Sequence, residues 1–389
     1  MIVADKIRGF HSRGSAIRRM FEEGLRLKAI HGPDRVADLS IGNPDFPPPA
    51  AFSAAFREAA LANLPHAYMP NAGYPETRAR VAANLDRRGL LPGVKAEHLV
   101  MTTGAAGAIN VTLHSILDPG DEVIVVRPYF LEYGYYIDNH GGRMVLADCR
   151  EDFELDPEAI ERVITPRTRA ILLNSPNNPS GRVYREETLR AVADVLRRAS
   201  TVQGRPILLL SDEPYREVVF DGVPFVSPAT VYENSVICYS WSKSFSLSGE
   251  RIGYAAVNPA LETDDAALFL GSLSMCNRLL GFVNAPAFMQ HVIARAVDAM
   301  PEIGHYERKR HLLLDALDRA GLEYVRPDGT FYIFPRTPGD ETDFVNRAKD
   351  KLLLVVPGSA FGRPGHVRLS FAAPDATVEL ACRILVDLA

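Results

Sequence analysis

Short apolar runs recur through the middle of the chain. They are LVMTT (99–103), VIVV (123–126), AILLN (170–174), ILLLSD (207–212) and VICYS (236–240). Because these runs are continuously apolar and do not alternate with polar residues, they are typical of parallel strands that are covered on both faces. The pattern therefore predicts a buried, mostly parallel sheet.

A segment with helical spacing separates two of these runs. In REETLRAVADVLRRA (185–199), the apolar residues Leu189, Val192 and Leu196 recur on one face, as expected of a helix that packs on a sheet. Strand, helix and strand in succession form a βαβ unit, which places helices on the faces of a parallel sheet. The fold class predicted for this part of the chain is therefore α/β.

The pattern changes after about residue 290. Two helical stretches, 291–300 and 305–321, precede three strand-like runs: GTFYIFPR (329–336), LLLVVPG (352–358) and HVRLSF (366–371). The first forty residues also have helical spacing, and Ser15 is a candidate N-cap there. A smaller α+β unit is predicted for the C-terminal part.

Composition and charge exclude several classes of function. The 389 residues are 47% apolar and 23% charged, and the net charge of −5 is spread over the chain without a basic stripe. This distribution argues against nucleic-acid or membrane-surface binding. The sequence contains no run of 18 apolar residues, so no membrane span is predicted. Its N-terminus has no apolar stretch, so no secretory signal is predicted. The four cysteines are scattered and indicate neither a disulfide framework nor a metal site. This pattern fits a protein of the reducing cytoplasm.

Candidate ligand-binding residues collect where the predicted strands end, which is where open parallel sheets bind ligands. In strand order they are Gly104, Ala105 and Ala106 in a GAAG turn, Phe130 after VIVV, Asn178 in SPNNPSG (175–181), Asp212 and Tyr215 in DEPY, and Ser240 and Lys243 in SWSKSFSLSGERIG (240–253). Each segment alone is an ordinary turn. Together they predict one binding rim.

The chemistry of this rim suits one cofactor. The Gly104 turn at a helix start offers backbone N–H groups to a phosphate, and Ser240 and Arg251 add further donors. Lys243 suits a Schiff base with an aldehyde, and Asp212 suits a protonated pyridine nitrogen. Pyridoxal 5′-phosphate (PLP) carries a phosphate, an aldehyde and a pyridine ring, and it is the predicted cofactor.

The ordered motifs resemble those of the fold-type I PLP enzymes, specifically the class I/II aminotransferases of the aspartate aminotransferase type. The resemblance runs from IGNPDFPPP (41–49) through SPNNPSG, DEPY and SWSKSFSLSGERIG to VRLSF (367–371). It implies an enzyme that moves an amino group between an L-amino acid and a 2-oxo acid. It also implies a large PLP-binding domain over 46–290 and a small domain built from 1–45 and 291–389.

Residue roles follow from the resemblance. Lys243 would form the Schiff base and move the substrate proton, and Asp212 would pair with the pyridine nitrogen. Tyr215 and Asn178 would bond the 3′-oxygen of the cofactor, and Phe130 would stack on its ring. The phosphate would be held by Gly104, Ala105, Ala106, Ser240 and Arg251, although many members have Ser/Thr and Gln where Ala105 and Ala106 stand.

The resemblance also implies substrate and subunit contacts. Arg368, with Gly42 and Asn178, would bind the substrate α-carboxylate. Tyr68 matches a tyrosine that reaches the phosphate of a neighbouring subunit, which implies a homodimer with shared active sites. Arg278 is either a surface arginine or the binder of a distal carboxylate. Glutamate and 2-oxoglutarate are expected as one pair, and the other amino acid is aspartate, aromatic or aliphatic.

One alternative to transamination stays open, and two others are disfavoured. The PLP motifs do not separate it from elimination, decarboxylation or cyclisation on the same scaffold, because the cofactor carries the chemistry. A PLP-sensing regulator is disfavoured, because residues 1–40 show no helix-turn-helix and no basic patch. A dinucleotide-binding dehydrogenase is disfavoured, because no GxGxxG follows an early strand.

Overall fold

The structure is a computed structural model that describes residues 2–13 and 16–388, without the side chains of residues 11–19. Ser15, the predicted N-cap, lies outside the described residues. The helices are α1 (Asp5–Arg13), α2 (Ala16–His31), α3 (Ala50–Leu61), α4 (Pro75–Arg87), α5 (Gly104–Ile116), α6 (Glu132–Asn139), α7 (Pro157–Val163), α8 (Glu186–Gln203), α9 (Trp241–Ser244), α10 (Ala266–Leu279), α11 (Ala287–Ala296), α12 (Gly304–Arg319), α13 (Glu341–Asp350) and α14 (Asp375–Val386). The strands are β1 (Ala37–Asp38), β2 (Leu99–Thr102), β3 (Glu122–Val126), β4 (Arg143–Ala147), β5 (Thr168–Asn174), β6 (Leu208–Asp212), β7 (Ser235–Ser240), β8 (Gly253–Val257), β9 (Tyr332–Ile333), β10 (Leu353–Leu354), β11 (Val356–Pro357) and β12 (Val367–Ser370).

The central sheet of the described chain has the strand order β2-β8-β7-β6-β5-β3-β4. Neighbours from β7 to β4 pair in parallel, whereas β8 is antiparallel to both β2 and β7. The predicted mostly parallel sheet is therefore confirmed. Neither β4 nor β8 was apparent in the sequence, because β4 begins with an exposed arginine and is only half-buried along most of its length and β8 (GYAAV) is rich in alanine, which has a weak strand preference.

Successive side chains of the strands enter different cores on the two faces of the sheet. Val123 and Val125 of β3 pack with α5, α6 and α10, whereas Ile124 and Val126 pack with α7 and α8. Where β2, β7 and β8 lie together, the second face is covered by α4 and α11. This two-sided burial is the physical reason why the strands read as continuous apolar runs.

A separate core packs the N-terminal and C-terminal parts of the chain together. Ala37 and Leu39 pack with Val367, Leu369 and residues of α12 and α14. In this region β1 pairs in parallel with β10, and β11, β12 and β9 form an antiparallel sheet. The α+β character of this unit agrees with the prediction. The boundaries at 45 and 290 stay predictions, and α11, which spans position 290, packs on α3 and α4.

The prediction of a single strand over 352–358 is wrong. The chain changes partners at Val355, so that Leu353–Leu354 pairs with β1 and Val356–Pro357 pairs with β12. The run 329–336 is also mostly irregular, and only Tyr332–Ile333 forms a strand there. Uniform hydrophobicity shows that such a segment is buried but does not show which sheet receives it.

The antiparallel direction of β8 matters for the site. The carboxyl ends of the parallel strands meet at one edge of the sheet. Because β8 runs in the opposite direction, its amino end lies at this same edge and brings Arg251 there. The segments that follow β2, β3, β5, β6 and β7 converge on this edge with the small α+β unit.

Candidate active site

A cavity of about 310 Å³ lies at the carboxyl edge of the central sheet. Eleven residues predicted from the sequence line it: Gly42, Ala105, Ala106, Phe130, Asn178, Asp212, Tyr215, Ser240, Lys243, Arg251 and Arg368. Residues far apart in sequence therefore meet around one space, and their roles can be compared with the geometry.

Lys243 enters the cavity from a short helix. It lies in α9, which starts directly after β7, and Ser240 caps this helix by accepting a hydrogen bond from Ser242 N at 3.1 Å. The Lys243 Nζ donates to the Gly42 carbonyl at 2.8 Å. Burial, with the nearby cations Arg368 and Arg251, lowers the pKa of Lys243 to about 8. The amine of Lys243 therefore loses its proton more readily than an ordinary lysine amine.

Asp212, the last residue of β6, is buried with one oxygen free. Its Oδ2 accepts a hydrogen bond from the Tyr133 hydroxyl at 2.5 Å, and Asn174 Nδ2 donates to its backbone carbonyl at 2.9 Å. Its Oδ1 has no partner among the described residues. Burial raises the pKa of Asp212 to about 7, while the bond from Tyr133 opposes that rise. An unpaired buried carboxylate oxygen is costly, and a cationic ligand group would satisfy it.

The corner beside α5 is built for an anion. Gly104 has a φ of +80°, and a Cβ at this position would lie 3.0 Å from Arg251 Nη2, so glycine is needed. Arg251 donates to the Thr103 carbonyl at 3.1 Å, and the Ser240 and Ser242 hydroxyls lie 2.7 Å apart. The first N–H groups of α5, two hydroxyls and a guanidinium therefore share one corner, which is typical of phosphate sites.

Arg368 also lines the cavity, and several contacts fix its guanidinium. Its side chain donates from Nη1 to Asn178 Oδ1 at 3.0 Å and from Nη2 to the Ser40 carbonyl at 2.7 Å. Its guanidinium lies over the Tyr332 ring, 4.4 Å from the centroid, and its Nε has no partner among the described residues. The Tyr215 hydroxyl lies 3.2 Å from the Tyr332 hydroxyl.

Gly42 is constrained by this same tyrosine. A Cβ on Gly42 would lie 1.7 Å from the Tyr332 hydroxyl oxygen, so a larger residue would clash. The backbone of Gly42 therefore approaches the cavity closely, which leaves its carbonyl within reach of Lys243.

Tyr68 and Arg278 do not line this cavity. Tyr68 lies between α3 and α4 with 93% of its surface exposed. Arg278 is exposed in the last turn of α10. Within a single chain neither side chain has a place in the site, and their roles stay predictions.

Four lining residues were not apparent in the sequence: Tyr133, Tyr136, Asn174 and Tyr332. Asn174 could have been found, because it is the last residue of the run AILLN and so stands at the edge where ligands bind. Tyr133 and Tyr136 depend on how α6 lies over the sheet, and Tyr332 sits in a run that resembles any buried strand. No sequence pattern signals these three.

Two kinds of feature are absent from the described residues, 2–13 and 16–388. These residues contain no cluster of three or more His, Cys, Asp or Glu side chains with the arrangement of a metal site. None of their helices combines the length and the hydrophobicity that crossing a bilayer requires.

Comparisons with known proteins agree with this geometry. A family model described as aminotransferase class I and II matches residues 34–385. A probable aspartate/prephenate aminotransferase of Thermus aquaticus is 36% identical, over 96% of this chain and 98% of its own length. A crystal structure of an amino transferase from Eubacterium rectale has a TM-score of 0.94 at 36% identity, over 100% of this chain and 98% of its own.

A second solved structure carries a more specific description. The aspartate aminotransferase from Thermus thermophilus with maleate has a TM-score of 0.87 at 31% identity, and the match covers 100% of both chains. The family match spans most of the chain, and the fold agrees over its whole length. This chain belongs to the class I and II aminotransferase family.

Proposed function

We propose that this aminotransferase uses PLP in the cavity at the carboxyl edge of the sheet to move an amino group between an L-amino acid and a 2-oxo acid. One observation carries the proposal. A lysine amine with a lowered pKa, a buried carboxylate with a free oxygen and an anion-binding corner face the same cavity. These groups match the aldehyde, the pyridine nitrogen and the phosphate of PLP.

The cavity also fits PLP in size and lining. Its volume of about 310 Å³ is in the range of small-molecule sites. The Phe130 ring lines it beside Tyr133, with their centroids 5.6 Å apart, and offers an aromatic surface to a flat ring. We propose Phe130 as the stacking residue, and Tyr215 and Asn178 as partners of the 3′-oxygen.

In the proposed mechanism, PLP when bound supplies an aldehyde that condenses with amines and a ring that stabilises negative charge at the substrate α-carbon. Asp212, whose Oδ1 is unpaired, would hold the ring nitrogen of PLP, and a protonated ring nitrogen there would favour the ionised carboxylate. Lys243 would hold the cofactor through its aldehyde, and its Nζ as a free amine would take up the proton of the substrate α-carbon and give it back. One amine thus acts as base and then as acid.

The substrate α-carboxylate is assigned to Arg368. This guanidinium is 2% exposed, so a carboxylate that reaches it meets a largely desolvated cation. Charge-assisted bonds in such surroundings are strong. Gly42 and Asn178 line the same cavity, and Asn178 accepts a hydrogen bond from the guanidinium. Arg278 remains a candidate for a distal carboxylate only if another subunit brings it to this cavity.

For substrates, we propose glutamate and 2-oxoglutarate as one pair and aspartate as a candidate for the other. The names of the relatives from Thermus aquaticus and Thermus thermophilus include both aspartate and prephenate. Their names describe transamination, which supports that reaction over elimination, decarboxylation or cyclisation.

We also propose a homodimer with shared active sites. Leu268, Met275, Leu279 and Phe282, on and after α10, are exposed apolar side chains close in sequence to Arg278. Contiguous exposed apolar residues mark interaction surfaces. Mixing Lys243→Ala and Tyr68→Ala subunits tests this, because a hybrid dimer would regain one complete site. Activity of the mixture well above that of either variant supports sharing, and no recovery contradicts it.

The predicted division into domains 46–290 and 1–45 with 291–389, and a cytoplasmic location, belong to the same proposal. The core that joins Ala37 and Leu39 to Leu369 supports a small domain built from both termini. Cys149, Cys238, Cys276 and Cys382 are all free thiols, which is compatible with a reducing compartment.

Chemical trapping tests the cofactor assignment. Purified protein is incubated with PLP, reduced with sodium borohydride and digested for mass spectrometry. We expect a phosphopyridoxyl group on the peptide that contains Lys243 and none in the Lys243→Ala variant. A modification spread over several surface lysines, and equal in both proteins, would refute the assignment.

A further inference from the structure

A chain of polar contacts links Arg368 to the outlying helix α2 through a buried carboxylate. We propose that Asp38 is a positioning residue, which holds the Arg368 guanidinium in the orientation that receives the substrate carboxylate. The inference rests on the proposed role of Arg368, and it adds a residue that does not line the cavity.

The first link is between Asp38 and Ser40. Asp38 Oδ1 accepts hydrogen bonds from Ser40 N at 3.2 Å and from Ser40 Oγ at 2.6 Å. Strand β1 ends at Asp38, so Ser40 lies beyond the ladder that pairs β1 with β10. Backbone hydrogen bonds to Leu354 and Ser370 hold Leu39, and the side chain of Asp38 extends this support by one residue to Ser40.

The second link is between Ser40 and Arg368. The Ser40 carbonyl accepts from Arg368 Nη2 at 2.7 Å. Asn178 Oδ1 is the other hydrogen-bond acceptor of this guanidinium. Two acceptors and the Tyr332 ring define its plane, and a shift of the Ser40 carbonyl would turn its donors away from the cavity. Binding groups lose much of their effect when they are displaced by about 1 Å.

The third link anchors Asp38 itself. Lys28 of α2 donates to Asp38 Oδ2 at 2.8 Å, and Asp38 is 8% exposed. Gly24 lies one turn earlier on α2, where a Cβ would come within 2.8 Å of the same oxygen. The absence of a side chain at Gly24 lets α2 approach the carboxylate. Both oxygens of Asp38 are thus held, and rotation of its carboxylate is restricted.

The test is a double-mutant cycle between Asp38 and Arg368, measured on PLP-loaded protein. For Asp38→Ala we expect the KM values for glutamate and 2-oxoglutarate to rise about tenfold, with kcat changed less than about threefold, because the lost geometry affects carboxylate binding. In the Arg368→Ala background the same substitution is expected to raise KM no further, because coupled residues are not additive.

A binding measurement complements the kinetics. Calorimetric titration with succinate, a carboxylate that cannot be transaminated, is expected to show about tenfold weaker binding by Asp38→Ala than by the parent. Ser40→Ala, which removes one of the two bonds to Asp38, is expected to fall between them. Ser40→Ala decides the question if Asp38→Ala does not fold.

Glu122→Ala is the matched control. Its side chain is 5% exposed, as is that of Asp38, and it also binds a hydroxyl and a more exposed cation, Thr165 and Arg167. Glu122 lies at the start of β3, at the edge of the sheet opposite the cavity. We expect its KM values to equal those of the parent, so that general loss of a buried carboxylate is separated from loss of positioning.

The outcomes separate the two levels of the inference. If Arg368→Ala leaves KM and succinate binding unchanged, its proposed role as carboxylate binder fails. If Arg368→Ala weakens both while Asp38→Ala does not, or if Asp38→Ala weakens them equally with and without Arg368, the positioning role of Asp38 is overturned and the proposed function stands.

Discussion

Two clusters of buried charged side chains lie next to each other at the turn that follows β6. The rear cluster is centred on Arg216, which donates to Glu213 at 3.3 Å, to Glu217 at 3.0 Å and to the Tyr254 hydroxyl at 2.8 Å. Its guanidinium also lies 3.8 Å from the centroid of the Tyr239 ring. Every side-chain nitrogen and oxygen of Arg216, Glu213 and Glu217 has a partner.

The front cluster faces the cavity and is incompletely paired. Asp212 Oδ1 and Arg368 Nε have no partner among the described residues, and burial moves the pKa values of Asp212 and Lys243 to about 7 and about 8. The two clusters are adjacent in sequence, since Glu213 directly follows Asp212. Completed pairing stabilises a fold, whereas the free oxygen and the shifted pKa values suit groups that exchange partners during a reaction.

The sharpest test of this contrast is Lys243→Ala. We expect transamination to fall by at least about 10⁴-fold, since both the covalent attachment and the proton transfer are lost. PLP is expected to remain bound through the corner formed by Gly104 and Arg251. Steady-state turnover and equilibrium dialysis of PLP measure these two effects, and near-normal turnover would contradict the role of Lys243.

Asp212→Asn is expected to have the next largest effect. It keeps the shape of the side chain but removes the charge that faces the ring nitrogen, and loss of one such electrostatic contact costs about 10²–10³-fold in kcat. The midpoint of unfolding should change little. A variant that loses stability but retains kcat would place Asp212 with the rear cluster instead.

For the rear cluster the expectation is reversed. Arg216→Met leaves Glu213 buried without a cation and leaves Glu217 with Arg88 alone, which is expected to lower the free energy of unfolding by about 3–5 kcal/mol. Urea-induced unfolding of the PLP-loaded protein measures this loss. The kcat of the folded fraction should change less than about tenfold, and a collapse of kcat without loss of stability would refute the distinction.

Tyr133→Phe is the mildest change. It removes the bond that opposes the rise in the pKa of Asp212, so this pKa is expected to move above about 7. Asp212 is proposed to act as the ionised carboxylate. Activity that is lost at low pH because Asp212 is protonated should therefore return as the pH is raised. We expect about a tenfold decrease in kcat near neutral pH, in the range of one lost hydrogen bond to a charged group. A pH profile that matches the parent would show that Tyr133 does not tune Asp212.

The sequence predicted the front cluster well and the rear cluster not at all. Lys243, Asp212 and Asn178 stand where apolar runs end, and the sheet brings such ends together. Arg216 and Glu217 look like surface charges in the sequence, because nothing in the local pattern shows that Tyr239 and Tyr254 will enclose them.

The sequence also did not predict how helices and strands are oriented relative to each other. Tyr133 reaches Asp212 only because α6 packs over the sheet, and Arg251 joins the anion corner only because β8 runs antiparallel. Such directions follow from tertiary packing, and a periodic pattern does not contain them. Tyr68 and Arg278 belong to the same class, since their proposed roles require a second chain.

One measurement tests the central claim most directly. PLP-loaded protein is titrated with glutamate and, separately, with aspartate while its visible absorbance is recorded, and 2-oxoglutarate is then added. The account predicts that an amino acid converts the band of the lysine-bound cofactor to the spectrum of pyridoxamine phosphate and that 2-oxoglutarate restores the band. A lysine-bound band that never forms, or one that shifts with amino acids but never converts, would contradict it.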